Sequence, residues 1–335
     1  MRIAVDAMGG DQAPAKILQG AMDALELLEP GDELILVGNE DVIRREVGAG
    51  LDAHKNVRIE ASTQVITMDD SPVEAIRGKR DSSIVRMVKL AKDGGADAII
   101  SAGNTGALVA AGVLMLKPLP GVDRPGIAVV FPSSGGPVML CDAGANPQAK
   151  PQHLHQYAVM ASLYMQALHG VAKPRVGVLN VGTEDEKGTP LVKEAKALIA
   201  ADGSLDLMGY IEGRDVFRHG ADVVVTDGFT GNVLLKAVEG WAEMLMQTMA
   251  KEVAVEAPGI VATFKPVLGR VAKRFDHEEY GGALLLGVSG LFLKVHGSGG
   301  ARAIKNAVGK AKAAGRLDIN KRIVDRLAAV PAAKL

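Results

Sequence analysis

Short aliphatic runs set off by polar, glycine-rich turns alternate along the chain with longer stretches whose apolar residues recur three and four apart. Arg2 to Val5, Glu33 to Val37, Val57 to Glu60, Ala98 to Ser101, Val176 to Leu179, Asp206 to Ile211 and Asp222 to Val225 read as strands. The run Val223, Val224 and Val225 suits a strand buried on both faces. Helices are expected from about Pro14 to Leu28, from Ser71-Pro72, and from Ala107 to Leu116. Others are expected from Pro151 to Leu168, after Pro190, from Val233 to Glu252, from Ala301 to about Gly315, and from Asp318 to Ala329. Ile127 to Phe131 and Val138 to Cys141, joined by residues 132–137, read as a β-hairpin, and Leu284 to Val295 as a closing pair of apolar segments. A hairpin beside parallel units makes the sheet mixed. No Pro/Ser-rich linker interrupts the pattern, so residues 1–335 are expected to form one α/β unit in which two intertwined lobes share one sheet.

Two stretches repeat. Residues 95–106, Gly-Ala-Asp-Ala-Ile-Ile-Ser-Ala-Gly-Asn-Thr-Gly, align without gaps on residues 220–231, Gly-Ala-Asp-Val-Val-Val-Thr-Asp-Gly-Phe-Thr-Gly. Each copy puts two glycines and a hydroxyl where a strand gives way to a helix. Such a corner leaves backbone N–H groups uncovered at the positive end of a helix, which is an anion site in outline. The expectation is that Gly103, Asn104, Thr105 and Gly106 face one cleft together with Asp227, Gly228, Thr230, Gly231 and Asn232. The plainer reading is that any α/β protein carries a few glycine-rich turns.

Composition narrows the chemistry. A formal net charge of −1 and an aromatic content of 3% give neither the basic surface nor the stacking platforms of a nucleic-acid binder. Cys141 is the single cysteine and lies in a strand-like run, which suits core filling. The chain turns polar directly after Met1-Arg2-Ile3-Ala4-Val5, and no apolar run approaches a membrane span. A cytoplasmic protein is expected. No Gly-x-Ser-x-Gly elbow, His-Glu-x-x-His pair or Walker loop occurs, and His153 and His155, two apart on one helix, point to different sides. Neither a metal nor a cofactor is expected.

In the loop 180–190, Asn-Val-Gly-Thr-Glu-Asp-Glu-Lys-Gly-Thr-Pro, Lys187 stands alone among three acids. It either places an ammonium in the cleft or belongs to a surface loop with internal ion pairs. Asn180, Gly182 and Thr183 share that loop. These glycines, hydroxyls and amides would bind an anion and steady an oxyanion without a covalent intermediate. In residues 257–275, Val261, Phe264, Leu268 and Val271 form an apolar stripe beside Lys265, Arg270, Lys273 and Arg274. The pattern fits an interfacial helix, a dimer contact or plain core, with Pro266 expected to kink it. Arg77, Lys79 and Arg80 could meet an acidic partner or form a solvated helix end.

Taken in order, Val5-Asp6-Ala7-Met8-Gly9-Gly10-Asp11, Ser101 to Ala107, Asp142-Ala143-Gly144-Ala145-Asn146, Asn180-Val181-Gly182 with Lys187-Gly188, Asp227 to Asn232, Tyr280-Gly281-Gly282-Ala283 and His296-Gly297-Ser298 resemble the successive signatures of the acyl-carrier-protein:phosphate acyltransferase family, PlsX. Each is weak alone, but together they are highly specific and span nearly the whole chain. The resemblance implies transfer of a fatty acyl group from acyl carrier protein to inorganic phosphate, giving acyl phosphate for phospholipid synthesis. It implies a homodimer attached peripherally to the membrane, supplying a downstream glycerol-3-phosphate acyltransferase. It also implies a three-layer α/β/α sandwich with a mixed, mostly parallel sheet and internal duplication, similar to phosphotransacetylase and to isocitrate and isopropylmalate dehydrogenases. On this reading Lys187 and Asn232 are catalytic, and the Ile260 to Phe275 segment, with Val261, Phe264, Leu268 and Val271, is the candidate lip for the acyl chain. The competing expectations are a metal-dependent decarboxylating dehydrogenase of the same fold and a non-catalytic acyl-carrier or membrane-surface scaffold.

Overall fold

The structure is a computed structural model that describes residues 1–275 and 282–329. Its strands are β1 (Arg2–Asp6), β2 (Glu33–Gly38), β3 (Val57–Ala61), β4 (Ala98–Ser101), β5 (Gly126–Ser133), β6 (Gly136–Cys141), β7 (Arg175–Leu179), β8 (Asp206–Ile211), β9 (Val223–Val225), β10 (Ala283–Leu286) and β11 (Leu291–Lys294). All eleven join one sheet, in the order β3-β2-β1-β4-β11-β10-β5-β6-β9-β7-β8. Seven of the ten pairings are parallel. The other three, β11 with β10, β10 with β5 and β5 with β6, are antiparallel and consecutive. Three reversals in a row turn β9, β7 and β8 opposite to β1, β2 and β4.

Alternation along the strands builds two cores. Ile3, Val5, Leu34, Leu36, Ile100, Met139 and Val225 point to one face. Ala4, Ile35, Ile99, Leu140 and Val224 point to the other. The helices are α1 (Ala15–Asp23), α2 (Glu40–Val47), α3 (Pro72–Gly78), α4 (Ser83–Lys92), α5 (Thr105–Ala111), α6 (Pro151–His169), α7 (Pro190–Ala201), α8 (Gly213–Phe217), α9 (Gly228–Glu256), α10 (Val261–Phe275), α11 (Ala301–Arg316) and α12 (Ile319–Ala328). Helices α1, α6, α7, α11 and α12 cover the first face, and α3, α4, α5, α8 and α9 the second. The result is three layers, with both halves on one continuous sheet.

The repeated stretches make the same ion pair. Asp97, just before β4, accepts the backbone N–H of Arg2 at 2.6 Å and its guanidinium at 2.7 Å. Asp222, just before β9, accepts the backbone N–H of Arg175 at 2.8 Å and its guanidinium at 3.0 Å. In each case the arginine opens the parallel neighbour, β1 or β7. The bidentate fork fixes the register of the two strands where the ladder begins.

Candidate active site

At the carboxyl ends of β6, β7 and β9, the Asp227 side chain accepts the Thr230 N–H at 2.9 Å and the Thr230 hydroxyl at 2.7 Å. This N-cap satisfies donors that a helix start otherwise leaves open, so α9 begins at Gly228 rather than near Val233. Gly228, Thr230, Gly231 and Asn232 therefore lie within the first helical turns and not in a turn ahead of the helix. Gly228 and Gly231 are buried. They lie against the loop Asp142–Asn146, where a Cβ on Gly231 would come within 1.9 Å of the Asp142 carbonyl oxygen. The Asp142 carboxylate is itself buried and accepts backbone N–H groups from Ile127, Gly144, Ala145 and Asn146 at 2.7–3.0 Å. Burial pushes its carboxyl above the ordinary value even against those donors. Asn232 is exposed and lies over Gly144, and its amide has no hydrogen-bond partner among the described residues.

The Lys187 loop leaves the same end of the sheet, because β7 and β9 are parallel neighbours. Asn180 closes it by donating to the carbonyls of Gly182 and Lys187 at 3.0 and 3.3 Å. Gly182 is buried beneath the Lys187 stem, while Thr183 is exposed. The Lys187 ammonium is paired with Glu184 at 2.7 Å, and that hydrogen bond holds its pKa above the ordinary lysine value. The internally paired loop is thus what the structure contains, and it follows β7, the parallel neighbour of β9.

The other glycine corner follows β4. β4 and β9 run in opposite directions and lie five positions apart in the sheet, roughly 24 Å at the usual strand spacing. Helix α9 nevertheless bridges part of that span, since Lys236, about two turns after Gly228, reaches His296 just beyond Lys294, whose ammonium holds the Ala102 carbonyl next to Gly103. The Asn104 amide is also fully occupied. It donates to the carbonyls of Thr67, Met68 and Asp70 and caps α5 by accepting the Ala107 N–H. Thr105 and Gly106 are the first residues of α5, so this corner too is a helix start.

Around it cluster Asp6, whose buried carboxylate accepts the Ser101 hydroxyl at 2.7 Å, and Gly9, whose backbone meets that of Gly103. The Asp11 N–H donates to Gly297 at 2.8 Å. Lys294, at the end of β11, is buried and donates to the carbonyls of Ala102 and Val295. Burial, reinforced by the charge of Lys236, brings its pKa down to about 8. Lys236 reaches this corner from α9, with its ammonium 2.9 Å from His296 Nε2. Sequence reasoning missed both lysines. A charge inside the apolar run Leu291–Val295 was the available signal for Lys294, and the position one turn after Asn232 was the signal for Lys236.

Several other candidates resolve into structural roles. Both helical histidines are buried: His153 accepts the Lys150 N–H, and His155 pairs with Asp202 at 2.9 Å. Lys79 is held by Asp70 and the Val65 carbonyl, leaving Arg77 and Arg80 exposed beside it. Tyr280 and Gly281 of the 280–283 motif lie outside the described residues. A cavity of about 530 Å³ opens at the amino ends of β1, β4 and β11. Its charged walls pair among themselves, Asp32 with Lys312 and the N-terminal ammonium, and Glu29 with Arg316.

A family model described as a fatty acid synthesis protein matches residues 1–322. The phosphate acyltransferase of Desulfitobacterium hafniense strain DCB-2 is 46% identical over 317 residues, covering 93% of each chain. The chain belongs to the phosphate acyltransferase family. A further member, from Halothermothrix orenii, is 43% identical over 329 residues, covering 97% of this chain and 96% of its own. Membership makes the protein an acyltransferase and removes the dehydrogenase and scaffold readings. A phosphotransacetylase from Streptococcus pyogenes shares the fold with a TM-score of 0.60 over 94% of both chains at 18% identity. The EutD phosphotransacetylase from Staphylococcus aureus does so with a TM-score of 0.57 over 93% of this chain and 94% of its own, at 17% identity.

Proposed function

We propose that this phosphate acyltransferase moves a fatty acyl group from the thioester of acyl carrier protein to inorganic phosphate by direct attack, releasing acyl phosphate for phospholipid synthesis. The observation that carries the reading is the Asn232 amide at the start of α9, which lies over Gly144 of the Asp142–Asn146 loop and has no hydrogen-bond partner among the described residues. An amide at that point would stabilise the oxyanion formed when the thioester carbonyl is attacked, with the positive end of the helix behind it. Lys187 would add positive charge once its contact with Glu184 opens. An acyl-enzyme through the single cysteine is disfavoured, because Cys141 is fully buried and burial drives its thiol well above the ordinary value.

Incubation with palmitoyl-[acyl carrier protein] and phosphate should give a hydroxylamine-trappable acyl phosphate and free carrier thiol in equal amounts. A chain that forms none with several acyl lengths would sink the assignment. We assign the acidic carrier to Arg77 and Arg80, so Arg77→Glu with Arg80→Glu should raise KM for the carrier and leave KM for phosphate unchanged. We also read the repeated Arg–Asp clasp as the trace of a duplicated, dehydrogenase-like unit. A superposition of β1 and β4 on β7 and β9 that left Arg2 and Arg175 apart would refute this.

A homodimer, peripheral attachment to the membrane and delivery to a glycerol-3-phosphate acyltransferase belong to the same reading. Among the described residues no helix is long and apolar enough to cross a membrane. Val261, Phe264, Leu268 and Val271 are only half-buried, and α10 packs on α9 and continues through Pro266. The apolar residues that stand out at this end are Val255 and Ile260, 64% and 51% exposed. We therefore place the membrane contact at the α9–α10 tip. Val255→Asp with Ile260→Asp should release the chain from anionic vesicles in a flotation assay while sparing turnover on soluble substrate. Undiminished flotation would assign the tip to dimer packing instead.

A further inference from the structure

Asn232 and Lys236 are one turn apart on α9, so their side chains leave the helix on one face about 6 Å from each other. From there Lys236 crosses to the segment after β11, where it lies 2.9 Å from His296 Nε2 and 2.8 Å from Glu239. An ammonium has donors only, so against Lys236 at 2.9 Å Nε2 accepts and the ring proton sits on Nδ1, 2.7 Å from the Ser298 hydroxyl, at the expense of the longer 3.3 Å contact that the Ser298 N–H would otherwise donate to Nδ1. His296 is thus assigned as the neutral tautomer, its lone pair aimed at Lys236. Behind it, buried Lys294 adds a second positive charge.

We propose that Lys236 and His296 form the phosphate subsite of the acyl-transfer centre, Lys236 binding a phosphate oxygen and His296 Nε2 handling the phosphate proton. The inference rests on the acyl-transfer reading above and gives the nucleophile a location. The alternative cation, Lys187, stands among Glu184, Asp185 and Glu186, which repel a dianion. Lys236 instead faces a histidine with a second lysine behind it, and its spacing from Asn232 suits a phosphate on one side of the acyl carbon and the oxyanion on the other. In the step itself, an oxygen of hydrogenphosphate bonds to the carbonyl carbon and the C–S bond breaks. The hydrogenphosphate proton passes to His296 Nε2 as Lys236 turns onto the phosphate, and from there to the departing thiolate. His296 ends neutral, and no other reactant is consumed.

Glu239 makes the test directional, since its carboxylate competes with phosphate for Lys236. Phosphate binding to the full chain without acyl substrate would be followed by calorimetry and by ³¹P line broadening, with circular dichroism to confirm folding. Lys236→Met and His296→Gln should each weaken binding about tenfold or more, Lys236→Arg should restore most of it, and Glu239→Gln should tighten it several-fold. A merely structural network would be loosened by all of these changes alike. Native-like binding in Lys236→Met, weaker binding in Glu239→Gln, or no binding by the native chain would overturn the proposal. A chain that binds phosphate through Lys236 yet makes no acyl phosphate would keep the subsite and lose the substrate assignment. Acyl phosphate formed by Lys236→Met with an unchanged KM for phosphate would do the reverse.

Discussion

Asn232→Ala should lower kcat about 100- to 1000-fold, the loss typical when one donor to a developing oxyanion is removed. The thermal midpoint should barely move, because the Asn232 side chain is exposed and makes no hydrogen bond among the described residues. An interaction made only in the transition state lowers kcat and kcat/KM together, so both KM values should stay near the native ones. Lys187→Ala sharpens the assignment. An exposed pair such as Lys187–Glu184 contributes little to folding, so a purely structural lysine could be removed with no effect on turnover. A lysine that swings onto the reacting carbonyl would cost at least tenfold when removed. Steady-state rates of acyl phosphate formation distinguish the two, and native turnover in both variants would move the centre away from the start of α9.

The sequence showed where strands lie because burial on both faces leaves aliphatic runs, as at Val223–Val225, and that inference needs only local information. It also located the glycine corners and the N-terminal, Asp142 and His296 motifs in chain order. It could not show how the corners face. Strands β10 and β11 come from residues 283–294 yet enter the sheet between β4 and β5, where the two antiparallel pairings they bring cancel, and the β5–β6 hairpin reverses the second half. Local spacing also cannot show which amides are already engaged. Asn104 looks like a site residue until its amide is seen to hold the carbonyls of Thr67, Met68 and Asp70, more than thirty residues upstream. Asn232 has a similar sequence setting and stays uncommitted. Lys236 was hidden for the opposite reason, since a lysine on an amphipathic helix reads as a solvated face until the segment after β11 is brought against it.

Gly231→Ala should be the most disruptive single-methyl change in the first turns of α9. The added Cβ would meet the Asp142 carbonyl at 1.9 Å, and backbone cannot give way as a flexible side chain can. Either α9 shifts at its start or the Asp142–Asn146 loop moves. The loop is anchored by a buried carboxylate holding four backbone N–H groups, each costly to leave unpaired. Overpacking of this kind costs about 1 to 3 kcal/mol, which urea unfolding would measure. The effect on catalysis should be larger than the effect on stability. Asn232 is the next residue, and a displacement of about 1 Å of a positioned group can cost on the order of 100-fold in rate. Gly240→Ala, nine residues on in the same helix, is the control of opposite sign. Its Cβ meets nothing within 4 Å, so the change should stabilise the chain by about 1 kcal/mol through helix propensity. If the two alanines behaved alike, contact between Gly231 and the Asp142 carbonyl would not be what positions Asn232.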